Sequence, residues 1–139
     1  VGDPLLSFAP ATPNQISSTI GERIGEYIHA GSTLQLGIGG VPDAVLGGLG
    51  ESRDLKNWSE TLSDGVLKLE EQGALSKDVP VRTSFIMGSD QLYEWADANP
   101  RVAMIRTEFC NDPGQISKNP LMVSVIDRRL APGIQAHRP

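Results

Sequence analysis

Short apolar runs alternate with segments of helical spacing along most of the chain. Apolar residues recur at helical intervals from Ile20 to Ile28, with Ser17 and Ser18 suited to cap that helix and Gly31 suited to end it. Aliphatic-rich runs predict strands at 33–38, 58–62, 81–87, 102–105 and 121–126. Further helices are predicted between these strands, beginning near residues 42, 66 and 91. Strands that alternate with helices indicate an α/β domain with a mainly parallel sheet flanked by helices.

The ends of the chain differ from this pattern. Residues 1–15 contain three prolines among small polar residues, which predicts an extended lead-in. The predicted domain occupies residues 16–126. Residues 127–139 show no clear periodicity, and we expect them to form a tail that lies on the surface or is disordered.

Composition and charge exclude several classes of protein. The net charge is −5, with 12 Lys and Arg against 17 Asp and Glu, which argues against a nucleic-acid partner because that binding needs a basic face. No run approaches the roughly 18 apolar residues of a membrane span, and no signal peptide is predicted at the N-terminus. The single cysteine, Cys110, excludes an internal disulfide framework, so we expect the cytoplasm or another reducing compartment. Neither His29 nor His137 has a metal-ligand partner at useful spacing, so no metal site is predicted.

The junction between the first strand and the second helix carries the strongest local signal, Gly37-Ile38-Gly39-Gly40-Val41-Pro42. Glycines at such a junction let a ligand approach the backbone, and the helix N-terminus presents amides that favour an anion. An ordinary strand–helix turn without a ligand would have the same spacing. A dinucleotide-binding loop needs a third glycine where this chain has Pro42, which disfavours a nicotinamide-dependent oxidoreductase.

The strand after this loop contains Glu60. A carboxylate on a half-buried strand faces solvent, pairs with a cation, or performs chemistry. A solvent-facing or ion-paired carboxylate is the ordinary case. The position of Glu60 on the strand after the loop strengthens the catalytic alternative, since ligands of parallel sheets bind beyond the strand ends. Asp64 is predicted to be the N-cap or turn residue of the next helix rather than a second catalytic acid. Cys110 is predicted to be a buried, unreactive thiol, because its acidic neighbours in sequence would raise its pKa.

Five segments in order resemble the acetyl-CoA hydrolase/CoA-transferase family, which includes 4-hydroxybutyrate and succinyl-CoA:acetate CoA-transferases. They are residues 33–46, 59–66, 87–93, 99–100 and 111–119, so the similarity covers most of 16–125. The resemblance implies one half of a CoA-transferase-like fold of the NagB/RpiA type. Members of the family are longer than this chain, and the sequence after Ser124 departs from their pattern.

The resemblance also implies a chemistry and its residues. The glutamate that matches Glu60 is the nucleophile in such enzymes, and it carries CoA as a glutamyl-CoA thioester between an acyl-CoA and a small carboxylate. The residues that match Gly37, Ile38, Gly39, Gly40 and Val41 form the CoA-binding loop. Coenzyme A is therefore expected as part of the substrate, with no metal, no membrane and no nucleic acid, in a homo-oligomer. The alternative is a non-catalytic remnant that binds CoA or associates with itself.

Overall fold

The computed structural model describes residues 5–9 and 12–126. The predicted tail 127–139 and part of the predicted lead-in lie outside these residues. The helices are α1 (Gln15–Gly25), α2 (Gly40–Gly47), α3 (Asp64–Glu71), α4 (Asp90–Ala96), α5 (Thr107–Cys110) and α6 (Pro113–Ile116). The strands are β1 (Thr33–Leu36), β2 (Lys56–Leu62), β3 (Val81–Ile86), β4 (Val102–Met104) and β5 (Met122–Val125).

The five strands form one sheet in the order β4-β3-β2-β1-β5, and every neighbouring pair is parallel. The predicted α/β fold with a mainly parallel sheet flanked by helices is therefore confirmed. The chain progresses outward from β1 to β4 and then returns to place β5 on the other side of β1. This reversal creates a topological switch point between β1 and β5, which is where open parallel sheets bind ligands at the carboxyl ends of their strands.

One face of the sheet is covered by a layer of helices, in which α1 packs on α2, α2 on α3, and α3 on α4. Helix α1 approaches α2 closely at Gly21, where an added Cβ would lie 2.9 Å from the backbone of Ala44. Aliphatic side chains of β1 and of this layer form the buried core, and these include Leu34, Leu36, Val45, Leu46, Val66, Leu67 and Leu69. Among the described residues, no helix is long and apolar enough to cross a membrane.

The first helix begins and ends earlier than predicted. Asn14, rather than Ser17 or Ser18, is its N-cap, and its side-chain oxygen accepts a hydrogen bond from the amide of Ser17 at 2.9 Å. The helix stops at Gly25, so Tyr27 lies beyond it and is largely exposed. The short helix α5 was not predicted, because four residues are too few to show a helical period.

Asp64 has a structural role, but it is not the N-cap of its own helix. Ser63 occupies that position, and Asp64 is the first residue of α3. The buried Asp64 carboxylate accepts hydrogen bonds from the Ser89 amide, at 3.1 Å, and from the Ser89 hydroxyl. The Ser89 hydroxyl in turn caps α4 by accepting from the amide of Leu92. Asp64 therefore ties the turn after β2 to the turn after β3.

Arg101 fastens the segment before β4 to the end of α3. Its guanidinium donates to both carboxylate oxygens of Glu70, at 2.9 and 3.2 Å, and to the carbonyl oxygens of Ser76 and Val79. Lys77 adds a second cation 2.8 Å from Glu70. Burial alone would raise the pKa of Glu70, but the hydrogen bonds and charges of Arg101 and Lys77 outweigh it and lower that pKa.

This ion pair predicts a defined pH dependence of stability. Because the folded pKa of Glu70 lies below its unfolded value of about 4.3, the unfolded state takes up the proton first as the pH falls. The contribution of Glu70 is therefore complete above that value and is lost as the pH falls through the folded pKa. We expect Glu70→Gln to lower the free energy of unfolding by about 2 kcal/mol at pH 7, and by less at pH 3.

Urea unfolding of both proteins between pH 7 and pH 3 measures this difference. The exposed Glu51→Gln variant is the matched control, and it should follow the wild type throughout. A difference between Glu70→Gln and wild type that stays constant over this range would contradict the assignment.

Candidate active site

A glycine loop, residues 37–41, follows β1 directly at the switch point of the sheet. The amide of Gly37 donates to the carbonyl oxygen of Val125 at 2.9 Å, which holds the start of the loop against the end of β5. The whole loop is half-buried. The loop therefore lies at the place where open parallel sheets bind their ligands.

Gly39 determines the shape of this loop. Its φ of 129° and ψ of 178° fall in a region that is open essentially to glycine alone. Gly39 is also the N-cap of α2, and it offers no side-chain oxygen to the first turn of that helix. Its carbonyl oxygen accepts from the amide of Asp43 at 3.1 Å, which begins the helix. The positive end of the α2 dipole thus lies in the loop, where it favours a negatively charged ligand.

Glu60 lies inside β2, next to the strand β1 that leads into the glycine loop. The parallel register pairs Thr33 with Lys56 and Leu34 with Asn57. Beyond Asn57 the regular pairing stops, and Glu60 lies three residues further along β2, whereas the glycine loop begins three residues after Leu34. Glu60 is partly exposed, which leaves a reactant access to it.

Side-chain hydroxyls link β2 to both neighbouring strands beside Glu60. Toward β1, the fully buried Ser59 hydroxyl accepts from the amide of Leu36 at 2.9 Å and lies 3.0 Å from Asn57 Oδ1. Toward β3, the Thr83 hydroxyl is shared between the carbonyl oxygens of Glu60, at 3.2 Å, and of Phe85, at 2.8 Å. Ser59 and Thr83 therefore tie β2 to β1 and to β3 on either side of the Glu60 position.

Helix α5 packs against β2 and β3 and supplies the surroundings of Glu60. The indole of Trp58 donates to the carbonyl oxygen of Cys110 at 2.8 Å. Leu34, whose side chain faces the helix layer, pairs with Asn57, so the next residue, Trp58, points to the opposite face of the sheet. Helix α5 therefore covers the face that the layer α1–α4 leaves open.

The thiol of Cys110 is fully buried in this region, as predicted. Burial raises its pKa, hydrogen bonding from Ser84 acts in the opposite direction, and the charge of Glu60 adds to the rise. The direction of the shift agrees with the prediction. The acidic group responsible is Glu60 rather than a neighbour in sequence.

The structure places the glycine loop and Glu60 on neighbouring strands, the loop after β1 and Glu60 in β2. His29 is exposed and lies apart from them, after α1. Within residues 5–9 and 12–126, no cluster of His, Cys, Asp and Glu is suited to hold a metal ion. Sequence reasoning missed Ser59, although a hydroxyl on a strand that is buried needs a hydrogen-bond partner. It also missed Ser84, because nothing local in the sequence relates β3 to Glu60.

Relatives of known function resemble this chain over most of its length. A profile of the acetyl-CoA hydrolase/transferase C-terminal domain matches residues 88–129. A 4-hydroxybutyrate coenzyme A transferase of Clostridium kluyveri is 37% identical over 128 residues, which cover 88% of this chain and 30% of the relative. A succinyl-CoA:acetate/propanoyl-CoA:succinate CoA transferase of Fasciola hepatica is 33% identical over 129 residues, or 88% of this chain and 27% of the relative.

Solved structures agree with this relationship. The crystal structure of a 4-hydroxybutyrate CoA-transferase from Porphyromonas gingivalis superposes with a TM-score of 0.84 at 35% identity, over 89% of this chain and 33% of that protein. RipA from Yersinia pestis gives a TM-score of 0.82 at 26% identity, over 88% of this chain and 30% of that protein. The fold is therefore that of part of a CoA-transferase. Over most of its length the chain is similar to part of the acetyl-CoA hydrolases and CoA-transferases, and it spans about a third of the length of these relatives.

The Ser59 bridge gives a first test of how the site is held together. Ser59→Ala leaves the buried amide of Leu36 without its acceptor, so we expect the free energy of unfolding to fall by about 1–3 kcal/mol. Urea denaturation measures the loss. The exposed Ser117→Ala is the control, and it should change the stability by no more than about 0.5 kcal/mol. Equal stabilities of the two variants would show that the bridge contributes nothing.

Proposed function

We propose that this chain carries the nucleophile and the CoA-binding loop of a CoA-transferase or acyl-CoA hydrolase. The observation that carries the proposal is the position of Glu60 on β2, the parallel neighbour of the strand β1 that leads directly into the glycine loop. The Glu60 carboxylate on β2 can then meet the acyl carbon of a thioester. The anion-binding loop after β1 can hold the sulfur end of the same thioester. The names of the family relatives support the same class of reaction.

The reaction begins when a carboxylate oxygen of Glu60 attacks the acyl carbon of an acyl-CoA. The carbon–sulfur bond breaks, CoA leaves as a thiolate, and a mixed anhydride joins Glu60 to the acyl group. The thiolate then attacks Cδ of Glu60 and expels the acyl group as a free carboxylate. Glu60 now holds CoA as a glutamyl thioester, so covalent catalysis has divided one exchange into easier steps.

The second half of the reaction returns CoA to a new acceptor. An incoming small carboxylate attacks Cδ of the thioester, CoA thiolate leaves, and the thiolate then attacks the acyl carbon of the new anhydride. A new acyl-CoA forms and the Glu60 carboxylate is restored. When water attacks the thioester instead, the products are the free Glu60 carboxylate and CoA, which is hydrolysis.

The residues around Glu60 have separate tasks in this scheme. The glycine loop, residues 37–41, receives the sulfur end of CoA, and the positive end of the α2 dipole stabilises the departing thiolate. Ser59 and Thr83 fix β2 between its neighbours, so the carboxylate keeps its distance from the loop. Fixed donors aimed at developing charge are worth about 3 kcal/mol each where they have been removed.

A mass adduct tests the role of Glu60 directly. Incubation with acetyl-CoA should add the mass of CoA, less water, to the peptide that contains Glu60. Borohydride reduction of the thioester should leave a stable mark on the same residue. Glu60→Gln should show neither change, because an amide cannot attack the thioester.

The exposed Glu51→Gln is the matched control, and it should form the adduct as the wild type does. A wild-type protein that stays unmodified at saturating acetyl-CoA, or an adduct that persists in Glu60→Gln, would contradict the proposed nucleophile.

The backbone of the loop can be tested through binding. Gly39→Ala places a side chain where φ is 129°, a strain of roughly 1–3 kcal/mol that the loop relieves by changing shape. We expect the affinity for CoA, measured by calorimetry, to fall by about tenfold or more. Gly47→Ala in the same helix is the control, since an added Cβ there has no atom within 4 Å. Unchanged affinity in Gly39→Ala would separate the loop from CoA binding.

A second candidate is a non-catalytic remnant that binds CoA or associates with itself. Exposed apolar side chains favour it, since Met104, Leu121 and Ile126 are each more than half exposed. A remnant would bind CoA or form oligomers without ever acquiring the glutamyl adduct. The mass measurement above therefore separates the two candidates.

A further inference from the structure

The hydroxyl of Ser84 lies beside Glu60 on the side away from the glycine loop. Ser59 pairs with Thr83 and Thr61 pairs with Phe85, so Ser84 stands level with Glu60 on the adjacent strand β3. Glu60 thus has β1, which leads into the glycine loop, on one side and Ser84 of β3 on the other. Helix α5 packs against both β2 and β3 here.

Ser84 Oγ is buried, and among the described residues it makes no hydrogen bond of regular geometry. Its contact is with the thiol of Cys110, which Glu60 also influences, so the three side chains share one neighbourhood. A protonated thiol is a weak hydrogen-bond partner, and the burial of Cys110 keeps it protonated. The hydroxyl therefore stands level with Glu60 and has only a weak sulfur partner.

A buried hydroxyl with only a weak hydrogen-bond partner is unusual. Nearly all buried polar groups in proteins have partners, and one without a partner destabilises the fold. The neighbouring hydroxyls follow the general rule, since Ser59 and Thr83 both have backbone partners. Ser84 differs from these two hydroxyls, and it stands level with the Glu60 carboxylate. This combination favours a hydrogen-bond partner that is present only during the reaction.

We infer that Ser84 is a catalytic residue, whose hydroxyl donates a hydrogen bond to the δ-carbonyl oxygen of Glu60 as that oxygen becomes an oxyanion. This role rests on the function proposed above. The proposed role assigns stabilisation of the CoA sulfur and stabilisation of the oxyanion to different neighbours of β2. The glycine loop on the β1 side holds the CoA sulfur, and Ser84 on the β3 side stabilises charge on Glu60 itself.

The charge arises each time Cδ of Glu60 is attacked. When CoA thiolate attacks the mixed anhydride, a sulfur–carbon bond forms and the carbonyl electron pair moves to oxygen. The Ser84 hydroxyl donates to that oxygen without losing its proton. Collapse then restores the carbonyl and expels the acyl carboxylate. The same hydrogen bond serves the second half of the reaction, when a carboxylate or water attacks the thioester.

Replacement of Ser84 by alanine distinguishes a catalytic from a structural hydroxyl. Removal of a hydroxyl that stabilises the fold through a hydrogen bond should lower Tm. Removal of a buried hydroxyl that has only a weak partner should leave Tm unchanged or raise it. We expect Ser84→Ala to lower the rate of glutamyl-CoA formation by about 10²-fold, with the affinity for CoA unchanged. Ser84→Thr retains the hydroxyl and should recover much of the rate. Ser124→Ala removes an exposed hydroxyl that lies on β5, and it is the matched control.

The rates come from mass spectra of the Glu60 peptide at timed intervals after acetyl-CoA is added, and Tm comes from thermal unfolding of the same proteins. A Ser84→Ala rate equal to that of wild type would overturn the inference while the function proposed for Glu60 stands. A slower rate accompanied by a lower Tm would assign Ser84 a structural role instead. A wild-type protein that forms no adduct would overturn both proposals.

Discussion

The hydroxyl of Ser59 joins β1 to β2 beyond their last backbone pair, and the geometry of the site depends on this junction. Leu36, whose amide it accepts, is the last residue before the glycine loop, and Ser59 itself precedes Glu60. A shift of one strand along the other would therefore move the loop and the carboxylate apart. Since a one-residue slip would also turn the apolar side of β1 toward the wrong face, the buried core reinforces the same register.

The return of the chain to β5 adds a second constraint. It places the end of β1 at the switch point and leaves the carboxyl end of the sheet accessible there. Gly39 then turns the backbone through a conformation that other residues rarely adopt, which lets α2 start immediately. The N-terminus of α2 is positioned by the backbone shape at Gly39. The Glu60 carboxylate is positioned by the register of β2 against its neighbouring strands. Both causes must hold for a site to exist there.

The sequence was a reliable guide wherever local patterns determine structure. Apolar runs predicted all five strands, whereas the first helix ends at Gly25 rather than at the predicted Gly31. The glycine loop and Glu60 were recognisable because each stands in a short segment with a family resemblance. The cap of α1 was misplaced because Asn14, Ser17 and Ser18 are all capable caps, and packing against α2 decides among them.

Contacts between distant segments were beyond the reach of local patterns. Cys110 and Ser84 come to Glu60 from separate elements, and only the packing of α5 on β2 and β3 shows that they are neighbours. Asp64 looked like the cap of its own helix, yet it bonds to Ser89 at the start of another. In each case the sequence supplied the correct kind of residue, whereas its partner depended on the order of strands in the sheet.

A crystal structure of the protein with an acyl-CoA bound tests most directly whether the glycine loop and Glu60 form one site. The central claim predicts the CoA sulfur between the amides of the loop and Cδ of Glu60, within bonding or contact distance of that carbon. CoA bound to another surface, or bound at the loop with the Glu60 carboxylate turned away from the sulfur, would contradict it.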